Sequence, residues 1–183
     1  MPMNARPPLR QAGISMLEVL VALIVISLGL LGVAAMQAAA INNTGIARSR
    51  SLGAIAADSM AASMHANNAY WAALTSANSN SWTVTSSSIT GAPIMTLPPK
   101  DCAASSTTCN SADMAVYDTS QWGQLLGTLP GGSGQIACAP STTNSPASCL
   151  ITVSWQEKLS KVNAASMTAA ATSNAQYQMV VVP

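Results

Sequence analysis

The chain has 183 residues, of which only 7% are charged, and its formal net charge is +1. Proteins that bind nucleic acid through its phosphates concentrate lysine and arginine, and no stretch of this sequence does so. Composition therefore gives no indication of a nucleic-acid partner. The length fits one soluble domain together with a membrane segment.

The first segment, residues 1–13, contains Pro2, Pro7 and Pro8, so it is not expected to form a helix. Its two basic residues, Arg6 and Arg10, favour a cytosolic location by the positive-inside tendency. The segment is therefore predicted to be a short basic leader.

The next segment, residues 14–35, is apolar and carries a single charge, Glu18. A helix needs about 20 apolar residues to cross a hydrocarbon core about 30 Å thick, so this segment can span a membrane. Placing a carboxylate inside a membrane costs free energy, so such a residue is expected to have a function or a partner of opposite charge. If the chain were cut between Gly13 and Ile14, the new ammonium group at Ile14 would supply a positive charge, either in the same chain or in a neighbouring copy.

This arrangement resembles the type IV prepilin signature. That signature has a short basic leader, a small residue before the cut, a hydrophobic residue after it and a glutamate five positions into the mature chain. In that family a membrane peptidase cleaves after the glycine and methylates the new amino terminus, and the glutamate helps each subunit to dock into a filament. The resemblance implies cleavage after Gly13, N-methylation of Ile14 and an assembly role for Glu18.

Two other interpretations of the apolar segment stay open. A secretory signal peptide has similar parts, and Ala38-Ala39-Ala40 could serve as its cleavage site, although Glu18 and the length of the apolar run count against it. The segment could also be a plain single-pass anchor. A lipoprotein cut is excluded because no cysteine lies near the leader.

A helix is predicted to continue beyond the membrane segment, from about Ile14 to about Asn67, because proline is absent and apolar residues recur every four positions. These residues, expected to pack on a core, are Leu52, Ala56, Met60 and Met64. His65 is expected to be a solvated residue on the helix face. The stretch 57–67 resembles the helix end of the PilV group of minor pilins, with His65 in place of the more usual arginine.

In the second half, residues 75–90 are predicted to be loop, with a short edge strand at residues 82–84. A short helix is predicted to start with Asp118 as its N-cap and to be followed by a turn at residues 130–134. Strands are predicted at residues 136–138 and 149–155, paired as a hairpin, and at residues 177–182. The PilV-like group shows a similar order, namely a Trp-containing helix, a Leu-Pro-Gly-Gly turn, a cysteine and a Val-x-Trp strand.

The four cysteines are predicted to form disulfides, since their even number in an exported domain is typical of an oxidising compartment. Of the three possible connectivities, the local one is the simplest and joins Cys102 with Cys109 and Cys138 with Cys149. Zinc binding is not favoured, because the spacing lacks a close cysteine pair and His65 is the only histidine.

The resemblances imply an α+β protein with the type IV pilin fold, in which a long amino-terminal helix packs on a small antiparallel sheet. The segments expected are a leader, a transmembrane half-helix, a periplasmic amphipathic half-helix and a globular head, at residues 1–13, 14–35, 36–74 and 75–183. The location implied is the inner membrane, with a single pass and a periplasmic head, and later the pilus at the cell surface.

The function implied is that of a minor pilin of a type IV pilus. The alternatives are a pseudopilin of type II secretion and a pilus-borne subunit for adhesion or DNA uptake. The partners implied are the inner membrane, the prepilin peptidase and methylase, other major and minor pilins and the pilus assembly machinery. No cofactor, metal or enzymatic activity is expected, because the sequence shows no Ser-His-Asp order and no paired acids near a pocket motif.

Overall fold

The computed structural model describes residue 13, residues 15–158 and residues 172–183. The helices are α1 (Met16–Ala66), α2 (Asn68–Trp71) and α3 (Ser111–Leu126). The strands are β1 (Ser81–Val84), β2 (Ile89–Ala92), β3 (Ser133–Ala139), β4 (Ser148–Lys158) and β5 (Thr172–Val181). The arrangement is α+β, with a long amino-terminal helix and a small antiparallel sheet, and is consistent with the type IV pilin fold.

The chain divides into two compact units, residues 1–42 and residues 43–183. In the described part of the amino-terminal unit, helix α1 is the only regular element. Its large apolar side chains, from Met16 to Ile41, are exposed. The helix in this unit is therefore held by its own backbone hydrogen bonds and has no core of its own.

In the carboxyl-terminal unit, the second part of α1 covers the core. Of the predicted stripe, Ala56, Met60 and Met64 are buried and Leu52 is partly buried against them, which confirms its packing role. At Gly53 a Cβ atom would lie 2.6 Å from the ring of Trp155, so a larger residue would separate the helix from strand β4. The indole of Trp122 on α3 donates a hydrogen bond of 2.8 Å to the carbonyl of Ala56 and joins the two helices.

The sheet has the strand order β2-β1-β3-β4-β5, and every neighbouring pair is antiparallel. The predicted hairpin is confirmed, with Ile136 opposite Ile151. Ile151, Val153 and Trp155 are buried, as the alternation of polar and apolar residues indicated. Strand β5 begins at Thr172, five residues before the predicted start at Tyr177.

The strand predicted at residues 82–84 is present as β1, but its predicted place at the sheet edge is wrong, because β1 lies between β2 and β3. Trp82 and Val84 are fully buried, which suits an interior strand. This edge is formed by β2, whose first two residues, 89 and 90, fall in the segment predicted to be loop. This strand has little apolar pattern because none of its residues is fully buried, and it includes Gly91 at φ 141°.

The predicted start of α3 is also wrong. The helix begins at Ser111 and its N-cap is Asn110, whose side chain accepts a hydrogen bond of 2.8 Å from the backbone N–H of Asp113. The carboxylate of Asp113 accepts the N–H of Asn110 in return, so the pair forms a capping box. Asp118 therefore lies inside the helix. The predicted turn follows the helix, with Gly131 at φ 60°.

Candidate assembly site

The start of helix α1 brings Ser15 and Glu18 together within the first turn. The hydroxyl of Ser15 accepts a hydrogen bond of 3.3 Å from the N–H of Leu17, and its carbonyl accepts one of 3.0 Å from the N–H of Glu18. The hydroxyl thus satisfies an amide that the helix leaves without a partner. Glu18 is consequently fixed near the positive end of the helix dipole, where a carboxylate is favourable.

The surface around Glu18 is apolar on all sides of the helix. The segment is long and apolar enough to cross a membrane, and none of its most apolar window is buried within the chain. The exposed side chains of its first turns include Met16, Leu17, Val19 and Leu20. Such a helix needs either lipid or other helices as its surroundings, because water would hydrate this surface unfavourably.

The Glu18 side chain is exposed, and it forms no hydrogen bond or ion pair with the residues that the structure describes. A carboxylate in apolar surroundings needs a compensating positive charge. Of the predicted cleavage junction, Gly13 is exposed and without helical structure, and Ile14 lies outside the described residues together with residues 1–12. The cut, the methylation and the role of Glu18 stay predictions.

An ion pair that the sequence did not reveal joins α1 to the sheet. The guanidinium of Arg50 binds both carboxylate oxygens of Glu157 on β4, from Nε at 2.9 Å and from the terminal nitrogen at 3.0 Å. The indole of Trp155 donates to the same carboxylate at 3.1 Å. Glu157 is only 7% exposed, so these three donors stabilise a charge that water hardly reaches. The residues are far apart in sequence, and no local pattern could have paired them.

The hydrogen bonds and the positive charge of Arg50 lower the pKa of the Glu157 carboxyl below its ordinary value, although burial opposes the shift. A carboxyl with a lower pKa in the folded state stabilises the fold above its unfolded pKa, and this contribution is lost as the pH falls through the folded pKa. The ion pair therefore stabilises the carboxyl-terminal unit at neutral pH.

We expect Arg50→Ala to lower the melting temperature of the full chain in detergent at pH 7, because Glu157 keeps its burial but loses its counter-charge. The difference from the wild type should shrink as the pH falls below the ordinary glutamate pKa of about 4.3 and through the lowered pKa of Glu157, where the folded carboxyl becomes protonated. Arg48→Ala is the matched control, since Arg48 is exposed on the same helix and forms no ion pair with the described residues. A pH-independent loss, or an equal loss in both variants, would contradict this role.

Both local disulfides are present, Cys102 with Cys109 and Cys138 with Cys149. The second joins directly opposed residues of β3 and β4, and both of its cysteines are buried in the core. The first closes the loop before α3. In the chain-entropy model, closing loops this short contributes about 2.5 to 3 kcal/mol each.

Within the described part of the chain, no group of three or more potential ligands from histidine, cysteine, aspartate and glutamate could hold a metal ion. His65 lies exposed in the last turn of α1, as expected for a solvated helix residue. The cysteines are all in disulfides.

Comparison with protein families finds the prokaryotic N-terminal methylation motif at residues 8–34. The matched segment contains Gly13, Ile14 and Glu18 and ends within the apolar part of α1. Comparison with curated proteins and with solved structures gives no significant match. The motif and the apolar helix fit a protein anchored in the inner membrane with a periplasmic or extracellular head. Together with the antiparallel sheet, they support a type IV pilin-like protein, a subunit of the pilin or pseudopilin type.

Proposed function

We propose that this chain is a minor pilin, a subunit that enters a type IV pilus in few copies and takes part in its assembly or modification. The proposed segments are the leader at residues 1–13, the transmembrane half of the helix at 14–35, its periplasmic half at 36–74 and the head at 75–183. The observation that carries the proposal is Glu18, which has no partner among the described residues, on an exposed apolar helix within the methylation motif.

The apolar helix suits both places proposed for the subunit, the membrane before assembly and the filament after it. In the membrane, lipid covers the exposed side chains of residues 16–41. In a filament, neighbouring helices would have to replace this lipid, so assembly depends on helix packing and on a contact that lipid cannot offer. Pairing of the Glu18 carboxylate with an amino terminus, its own or that of a neighbour, is such a contact. The prepilin peptidase that removes the leader would create this amino terminus.

The order of elements in the carboxyl-terminal unit supports the minor-pilin assignment over that of a pseudopilin. Helix α3 carries the buried Trp122, the turn after it has the sequence Leu-Pro-Gly-Gly, β3 contains Cys138 and β4 contains Trp155. This is the order that resembles the PilV group. In the structure these parts form one core, in which the ring of Trp122 packs against Gly134 of β3.

The test is quantitative mass spectrometry of pili sheared from cells that express the full chain. The proposal predicts mature peptides of this protein in the pilus fraction, far fewer than those of the major pilin, and fewer pili when the gene is deleted. A strain without the prepilin peptidase should retain the uncut chain in its membranes and release none. A protein absent from pili but required for release of secreted enzymes would instead be a pseudopilin.

A further inference from the structure

A cleft of about 390 Å³ opens where the last turn of α1 meets the disulfide loop and the first half of α3. Its lining includes Ala66, Asn67, Cys109, Met114 and Asp118. Asn67 is fixed there, because its amide donates a hydrogen bond of 2.7 Å to the carbonyl of Ser111. The cleft is thus built from elements that are tied to each other.

Asp118 is the single ionisable side chain among the described residues that line this cleft. The side chain is partly buried, and burial raises the pKa of its carboxyl. It forms no hydrogen bond or ion pair with the described part of the chain. By contrast, Asp113 on the same helix binds Lys100 at 2.6 Å, and Glu157 binds Arg50. Asp118 is therefore a partly buried carboxylate that has no partner among the described residues.

The surroundings of Asp118 favour a cation with an apolar stem. The cleft lies between the carboxyl-terminal turn of α1 and the amino-terminal turn of α3, whose dipoles oppose each other, so its charge comes from Asp118. Met114, Ala66 and the half-cystine Cys109 provide apolar walls, along which a lysine or arginine can lay its methylene groups. A hard metal ion fits less well, because calcium takes six to eight oxygen ligands and the cleft has one carboxylate.

We propose that this cleft receives a lysine or arginine side chain of a neighbouring subunit in the filament. The inference rests on the proposed function, since only an assembled subunit has such a neighbour. Charge complementarity identifies the partner, because the cleft offers one carboxylate and none of the described cations of the chain itself binds it. The cleft makes docking specific, whereas the apolar helix provides contact area without selecting a neighbour.

The proposal predicts opposite effects of Asp118→Asn on the free subunit and on assembly. In the free subunit, asparagine replaces an unpaired, partly desolvated carboxylate, so the melting temperature of the full chain in detergent should stay equal or rise at pH 7. In pili sheared from cells with equal membrane levels, we expect about fivefold less of the variant than of the wild type, because a charge pair is lost. Asp118→Lys should be excluded more strongly, since two cations would then meet.

Asp101→Asn is the matched control, because Asp101 is exposed just before the disulfide loop and asparagine can keep the hydrogen bond that its side chain accepts from the N–H of Ala103. This control should assemble like the wild type. If Asp118→Asn enters pili as well as the wild type does, the inference fails and the proposed function stands. If the variant melts at a lower temperature, Asp118 has a partner in its own chain and the inference also fails. Absence of the wild type from pili would overturn both.

Discussion

Replacing Glu18 with glutamine is expected to remove this protein almost completely from filaments while leaving it in the membrane. The apolar surface of α1 is unchanged, and loss of a charge only eases its burial in lipid. Removing one partner from a charge pair in low-dielectric surroundings is strongly destabilising, so we expect incorporation to fall at least about tenfold. The measurement is the ratio of pilus-bound to membrane-bound protein by quantitative mass spectrometry.

The control for this variant is Ser27→Ala, which changes a side chain on the same apolar helix whose hydroxyl bonds only to the carbonyl of Ile24. It should leave the ratio unchanged. Cleavage of the leader and formation of both disulfides should persist in the glutamine variant, since Glu18 is proposed to act in assembly and not in folding. Equal amounts of the Glu18→Gln variant and the wild type in purified pili would refute the role of this carboxylate.

Trp82→Ala is expected to cause the largest loss of stability in the carboxyl-terminal unit. Trp82 is fully buried on an interior strand of the sheet, and its ring packs edge-to-face with that of Trp71, with centroids 5.6 Å apart. Its indole N–H also donates a hydrogen bond of 2.7 Å to the carbonyl of Pro93. Truncation of a buried tryptophan costs about 3 to 5 kcal/mol, a large part of the 5 to 15 kcal/mol that keeps a typical domain folded.

Trp82→Phe separates packing from hydrogen bonding. Phenylalanine keeps an aromatic ring against Trp71 but leaves the carbonyl of Pro93 without its donor. The free energy of unfolding should therefore fall by less than in the alanine variant, by about 1 to 3 kcal/mol. Urea unfolding of the full chain in detergent, followed by tryptophan fluorescence, measures both variants. An alanine variant as stable as the phenylalanine variant would show that β1 does not hold the core as described.

The sequence allowed prediction of those parts of the fold that follow from local pattern. The four-residue spacing of Ala56, Met60 and Met64 predicted a helix packed on a core, and the alternation in residues 149–155 predicted a half-buried strand. Strand β2 was missed because it lies at the sheet edge, where burial does not select apolar residues. The start of α3 had a signal, the capping pair Asn110 and Asp113, but with aspartate in place of the usual glutamate or glutamine.

Some residues of the candidate site could likewise be predicted from local sequence, whereas others depend on how distant elements pack. Gly13, Ile14 and Glu18 could be proposed from the leader motif, and the methylation motif at residues 8–34 spans the same positions. The pair of Arg50 and Glu157 could not be predicted, since it depends on how the helix lies on β4. The sequence predicts Asp118 as a helix cap because Gln121 follows three positions on and apolar residues at helical spacing come next. Its place in a cleft depends on the packing of α3 against the end of α1.

The central claim, that this chain is a prepilin matured for filament assembly, is tested most directly by the intact mass of the protein from cells that contain the prepilin peptidase. The mature chain should begin at Ile14 and carry one methyl group on its amino terminus, with two disulfides intact. A chain that begins after Ala40, as a secretory signal peptide would leave it, or a chain that is not cut at all, would contradict the account.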